Sequence, residues 1–144
     1  MSEPDYTRLT YDLTLHFART LASLNPQMVF DYVSGAYTDS SEQGRVMWAR
    51  VKGRTENALT RCGFRQVYNF RPGFMKPTPG QKNIKWYFKP FGAVYPLLRL
   101  LLPNQVSTLR DIGLAMINTV LVGYPKPILE IKDINALAKS RSAS

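Results

Sequence analysis

Two short runs, 28–33 (MVFDYV) and 66–70 (QVYNF), constrain the fold of this chain more than any other feature. Each is rich in β-branched and aromatic residues. Ser34-Gly35 closes the first and Arg71-Pro72-Gly73 closes the second, so each reads as a strand. Residues 44–62 between them read as a helix, with Gly63 at the position that commonly ends one. Strand, helix, strand in that order predicts a crossover unit: two neighbouring parallel strands joined by a right-handed connection.

The flanks continue the alternation. Residues 6–24 predict a helix with Asp5 as its N-cap and Asn25-Pro26 as its stop. Leu9, Leu13, Phe17, Leu21 and Leu24 form one apolar stripe along it. Residues 38–43 are polar and loop-like. Residues 74–89 read as an irregular loop, and 91–102 as a short apolar helix interrupted by Pro96. Ser107 or Thr108 caps a further helix; Thr108 with Asp111 fits a capping signature, with Ile112, Met116 and Val120 as the apolar face. Residues 128–131 predict a last short strand, and 139–144 a frayed tail. The expected fold is α/β, a single domain over 1–138 built on a parallel sheet flanked by helices.

Composition narrows the function classes. Of 144 residues, 44% are apolar and 20% charged, which is globular and excludes wholesale disorder. One Cys and one His cannot build a Cys/His zinc site or an intrachain disulfide, so no metal is expected. The net charge of +9 favours an anionic partner. The acidic N-terminus lacks the basic-then-apolar order of a signal peptide. The most apolar stretch, 88–103, is broken by Lys89, Pro90, Pro96 and Arg99 and falls short of the about 20 residues that span a bilayer. A soluble, cytoplasmic protein is expected.

Ligands of parallel α/β sheets bind outside the carboxyl ends of the strands. Ser34-Gly35 and Arg71-Pro72-Gly73 occupy two such ends. Trp48 and Lys52 lie four residues apart on the intervening helix, hence on one face. Ser34, Trp48 and Lys52 are expected to converge on one pocket, with Arg71 at its far wall.

This arrangement resembles the short-chain dehydrogenase/reductase superfamily, in particular its extended and atypical epimerase/dehydratase-like members. The phrases VSGAYTDS, MWARVKGRTENAL and FRPGF carry the resemblance. That family places a catalytic Ser at a strand end, a Tyr-x-x-x-Lys motif on the next helix and a Pro-Gly turn after the following strand. Ser34 matches the Ser, Trp48 and Lys52 occupy the motif 14 residues on, and Arg71-Pro72-Gly73 matches the turn. The resemblance covers residues 6–138 and corresponds to the C-terminal part of such a protein. It implies a partial Rossmann-like fold with NAD or NADP as cofactor. Lys52 would hold the nicotinamide ribose and Ser34 would orient a substrate oxygen. Arg71, Pro72, Gly73 and Phe74 would line the nicotinamide. The implied reaction is hydride transfer at a carbonyl, or epimerisation of a sugar-nucleotide-type substrate. The first two helices would form a homodimer interface.

Two departures bear on activity. No two glycines lie closer than seven residues, so the Gly-rich phosphate loop of the family's N-terminal half has no counterpart. Trp48 replaces the Tyr, and an indole N–H donates but does not exchange protons usefully. Tyr37, three residues after Ser34, is the candidate stand-in. Whether the chain is an enzyme stays open at this point, and a truncated or degenerate relative is the reading.

Other signals read as structural. His16 lacks a partner ligand, and Cys62 suits a small buried side chain. Lys76, Lys82, Lys85 and Lys89 interleave with Trp86, Tyr87 and Phe88, a mix that can bind single-stranded nucleic acid. A substrate-side loop is the preferred reading of that segment. The rival functions are a non-catalytic dimerising protein of the same fold and a basic nucleic-acid binder.

Overall fold

The structure, a computed structural model, describes residues 1–76 and 106–140. They fall into two compact units. One comprises Met1–Arg71 with Lys126–Ile128, the other Pro72–Pro125 with Leu129–Ser144. The protein is α/β, and its main sheet is small, with three strands, of which Gln66–Arg71 lies between Val29–Val33 and Ile128–Glu130.

The first unit opens with a helical stretch in three parts: α1 (Glu3–Thr7), a π-turn (Arg8–Asp12) and α2 (Leu13–Leu24). It starts three residues before the expected Tyr6. Ser2, not Asp5, is the cap: its hydroxyl oxygen accepts the Asp5 N–H at 3.3 Å, and Pro4 suits the first turn. The stripe expected to be the apolar face turns outward, with Leu9, Leu13 and Phe17 all more than half exposed. Leu15, Ala18 and Ala22 face inward instead, because two alanines let the helix backbone approach its neighbours closely.

Strand β1 (Val29–Val33) pairs in parallel with β2 (Gln66–Arg71), Val29 opposite Gln66 and Val33 opposite Phe70. The expected crossover is therefore present, and α3 (Met47–Leu59) forms its helix. That helix is shorter than 44–62. The Gly44 N–H donates to the Asp39 carboxylate at 2.6 Å, which keeps 44–46 out of the helix. The helix stops at Thr60, and Gly63 follows at φ +91°. The core here is Leu15 and Ala18 of α2, Ala58 and Leu59 of α3, and Val67 of β2, with Phe30 stacked on Phe64 at 4.8 Å. The third strand, β5 (Ile128–Glu130), follows the expectation, and the Asn69 N–H donates to the Pro127 carbonyl at 2.7 Å.

In the second unit, β3 (Phe74–Lys76) and β4 (Val106–Thr108) form a parallel pair, so 74–76 is strand and not irregular loop. The expected helix 91–102 and most of the lysine-aromatic segment lie outside the described residues. Helix α4 (Leu109–Leu121) begins at Thr108 with the expected capping box: the hydroxyl oxygen accepts the Asp111 N–H at 3.0 Å. Its buried face is Ile112, Ala115, Asn118 and Thr119, whereas Val120 is exposed. Helix α5 (Ile131–Lys139) was not expected. Ile131, Ile134 and Leu137 are buried along it, and Glu130 and Asp133 form its capping box. Among the described residues, no helix is long and apolar enough to cross a membrane.

Candidate functional site

Ser34 leaves β1 at its carboxyl end, and its N–H donates to the Phe70 carbonyl of β2 at 2.9 Å. The next residue, Gly35, has φ +133°, a conformation L side chains rarely adopt. The chain then turns back. The Thr38 N–H and hydroxyl both donate to the Gly35 carbonyl, and Tyr37 sits in the left-handed region at φ 64°. Asp39 organises the rest of the loop. Its carboxylate accepts from the Ser41 N–H, the Ser41 hydroxyl and the Gly44 N–H, and these donors hold the carboxyl below the usual aspartate range.

Helix α3 carries Trp48, Lys52 and Glu56 in one i, i+4 row. The Lys52 ammonium donates to the Ser34 backbone carbonyl and stands 5.8 Å from the Trp48 ring centroid. Burial pushes the Lys52 amine below its ordinary range, and the Glu56 charge pulls it partly back up. A β-carbon on Gly35 would lie 3.5 Å from the Lys52 nitrogen, so bare backbone faces the ammonium. Three expected residues, Ser34, Trp48 and Lys52, thus do gather at the end of β1.

The roles of individual groups differ from a simple convergence. The Ser34 hydroxyl is buried and donates to the Glu56 carboxylate at 2.5 Å, so the carbonyl of Ser34, not its hydroxyl, meets Lys52. Arg71 folds onto the same carboxylate. Its Nε donates to Glu56 Oε1 at 3.0 Å and its Nη2 to Oε2 at 2.5 Å, a two-point charge-assisted pair. Nη2 also donates to the Ser40 hydroxyl at 2.6 Å. Pro72 and Gly73 follow Arg71 out of β2, and Phe74 opens β3. The Tyr37 side chain is 83% exposed.

Glu56 and Ser40 were not singled out from sequence, although a signal existed for Glu56. It extends the Trp48/Lys52 row, and the other buried residues of the helix, Ala49, Val51, Gly53, Thr55, Ala58 and Leu59, carry no charge. A carboxylate there requires a buried counter-charge. Arg71, the one charged residue of β2, meets that requirement. Among the described residues, no group of His, Cys, Asp and Glu side chains could hold a metal ion.

Chemically, the site offers one half-buried ammonium beside partly exposed backbone at Gly35, braced by the Ser34–Glu56–Arg71 network. An ammonium has three N–H donors. Among the described residues only Ser34 takes one, which leaves donors for a hydroxyl-rich or anionic ligand. No protein-family model matches the chain, and no curated protein matches it significantly.

Proposed function

We propose that this chain carries the Ser- and Lys-bearing part of a nicotinamide-nucleotide site in a Rossmann-like fold, related to epimerase-like oxidoreductases. One observation carries the reading: the Lys52 ammonium is held at the carboxyl end of β1 against the Ser34 carbonyl, one turn after Trp48. The bare backbone at Gly35 and the donors of Lys52 fit the hydroxyls of a ribose. When bound, NAD or NADP would supply hydride chemistry at a carbonyl of a small-molecule or sugar-nucleotide substrate. Lys52 would orient the ribose and Trp48 would cover it. The Trp48 indole N–H donates but does not titrate in a useful range, so the family's Tyr step has no counterpart at this position. Tyr37 is the remaining phenol on the loop, and its exposure keeps it open to solvent. The reading is therefore of a degenerate site, stronger in binding than in turnover.

The test is a titration of the chain with NADPH and NADH, following tryptophan fluorescence, with Lys52→Ala as control. Saturable quenching whose dissociation constant rises at least about tenfold in the Ala variant supports the reading. Absence of binding up to millimolar nucleotide, from a folded and monodisperse sample, overturns it.

A second reading has its own observation. Leu9, Leu13 and Phe17 form an exposed apolar row, 51%, 62% and 57% accessible. A non-catalytic homodimer through the first helix is the function this favours. Sedimentation equilibrium of the wild type and Leu13→Glu decides it: a dimer in the first and a monomer in the second is the expected result.

A further inference from the structure

Lys52 and Glu56 stand one turn apart on α3 and meet on the same residue of another element. Lys52 donates to the carbonyl of Ser34, and Glu56 accepts a hydrogen bond from its hydroxyl. The Ser34 hydroxyl also lies 3.2 Å from the Phe70 carbonyl, but that oxygen already accepts the Ser34 N–H, and the 2.5 Å contact claims the single hydroxyl proton. The other face of the carboxylate is closed by Arg71, which reaches on to Ser40.

Glu56 is 1% exposed and so touches no ligand. Burying a carboxylate costs several kcal/mol before its partners offset the loss, and an apolar side chain would fill the same helix face more cheaply. What the carboxylate adds is direction. The loop after β1 contains Gly35 at φ +133° and Tyr37 at φ 64°, a backbone with little local preference for one path. Glu56 grips that loop at both ends of the turn, at Ser34 directly and at Ser40 through Arg71.

We propose that Glu56 is a positioning residue for Lys52: by fixing Ser34 through its hydroxyl, it sets the carbonyl on which the Lys52 ammonium is held. This rests on the reading of Lys52 as the nucleotide-binding residue. The direct consequence is coupling. Loss of Glu56 weakens nucleotide binding only where Lys52 is present to be misplaced.

The experiment is a double-mutant cycle on the full chain, comparing wild type, E56A, K52A and E56A/K52A. NADPH affinity is read by tryptophan fluorescence, and folding by circular dichroism. Alanine is used because a glutamine would keep an oxygen able to accept the Ser34 hydroxyl. E56A is expected to bind about tenfold more weakly than wild type, the value of one lost hydrogen bond in the site. On the K52A background the same change is expected to cost nothing further. An equal loss on both backgrounds marks a merely structural residue and overturns the proposal, as does unchanged affinity in E56A. Should E56A fail to fold, Ser34→Ala replaces it in the cycle, because it cuts the link and leaves the Glu56–Arg71 pair intact. A second arm needs no ligand: acylation of Lys52 by acetic anhydride, with exposed Lys132 as internal reference. A several-fold rise in Lys52 labelling in E56A supports the positioning role, and unchanged labelling overturns it. Wild type that labels as expected but binds no nucleotide sinks the nucleotide reading alone.

Discussion

A β-carbon built on Gly53 would lie 1.7 Å from the backbone carbonyl oxygen of Asp39, so the loop after β1 and helix α3 meet backbone to backbone. The Asp39 N–H donates to the Ala49 carbonyl at 3.1 Å, and the Asn57 amide donates to the Ser40 carbonyl at 3.0 Å. Gly53 is therefore the seat on which the loop rests. In an exposed helix, Gly→Ala stabilises by about 1 kcal/mol. Here the sign reverses. Gly53→Ala is expected to destabilise by about 2 kcal/mol through overpacking. Urea denaturation measures the loss, and hydrogen exchange at the Gly44 amide reports release of the loop.

The Glu56–Arg71 pair predicts a strongly non-additive stability pattern. Glu56→Leu leaves a buried guanidinium without its carboxylate and is expected to cost about 3–5 kcal/mol. Arg71→Met alone strands the carboxylate and costs a similar amount. The double variant removes both charges and is expected to recover most of the loss. Chemical denaturation of the three variants checks this, and simple additivity would contradict it.

Burial pushes the Tyr32 phenol up to about 12 against an unfolded value of 10.0, with a hydrogen bond to Thr55 offsetting part of the shift. The folded state thus holds its proton where the unfolded chain has lost it. The stabilisation is complete below pH 10 and is lost as pH rises from 10 to 12. Stability should fall across that window, and Tyr32→Phe should flatten the fall. Absorbance titration at alkaline pH, with and without urea, is the measurement.

Lys52 moves the other way. Desolvation lowers its amine below the unfolded value of 10.5, so the unfolded chain binds the proton more tightly. The cost of holding it charged is present at neutral pH and is relieved as pH rises towards 10.5. Acylation followed against pH should place the Lys52 midpoint below 10.5. A midpoint at 10.5 would show Lys52 to be solvated.

In the second unit, Thr108 and Asp111 cap α4 reciprocally, with the Thr108 hydroxyl 2.6 Å from the Asp111 carboxylate. Thr108→Ala is expected to cost about 1 kcal/mol, and Thr108→Ser very little. Thermal denaturation of the two variants separates loss of the cap from loss of a methyl group.

Local chemistry was legible in the first crossover and at the start of α4, and not at the first helix cap, at 74–76 or in α5. The strands β1 and β2, the helix between them and their parallel pairing follow from residue type, spacing and turn residues, because these act over a few neighbouring positions. The Thr108–Asp111 cap and the gathering of Ser34, Trp48 and Lys52 at one strand end were legible for the same reason. Helix α5 escaped because only three apolar residues, Ile131, Ile134 and Leu137, mark its face, directly after a β-branched run that reads as strand.

What tertiary structure decided is which side of each element meets protein. Spacing placed Leu9, Leu13 and Phe17 on one face of the first helix, but the neighbours of α2 selected Leu15, Ala18 and Ala22 for burial, because close approach favours small side chains. Spacing likewise placed Glu56 in line with Lys52 without assigning it a partner. Its carboxylate is tolerable in the interior only because β2 delivers Arg71, and the end of β1 delivers Ser34, to within hydrogen-bonding distance. Those contacts join residues 15 and 22 positions apart, and only the folded chain brings them together.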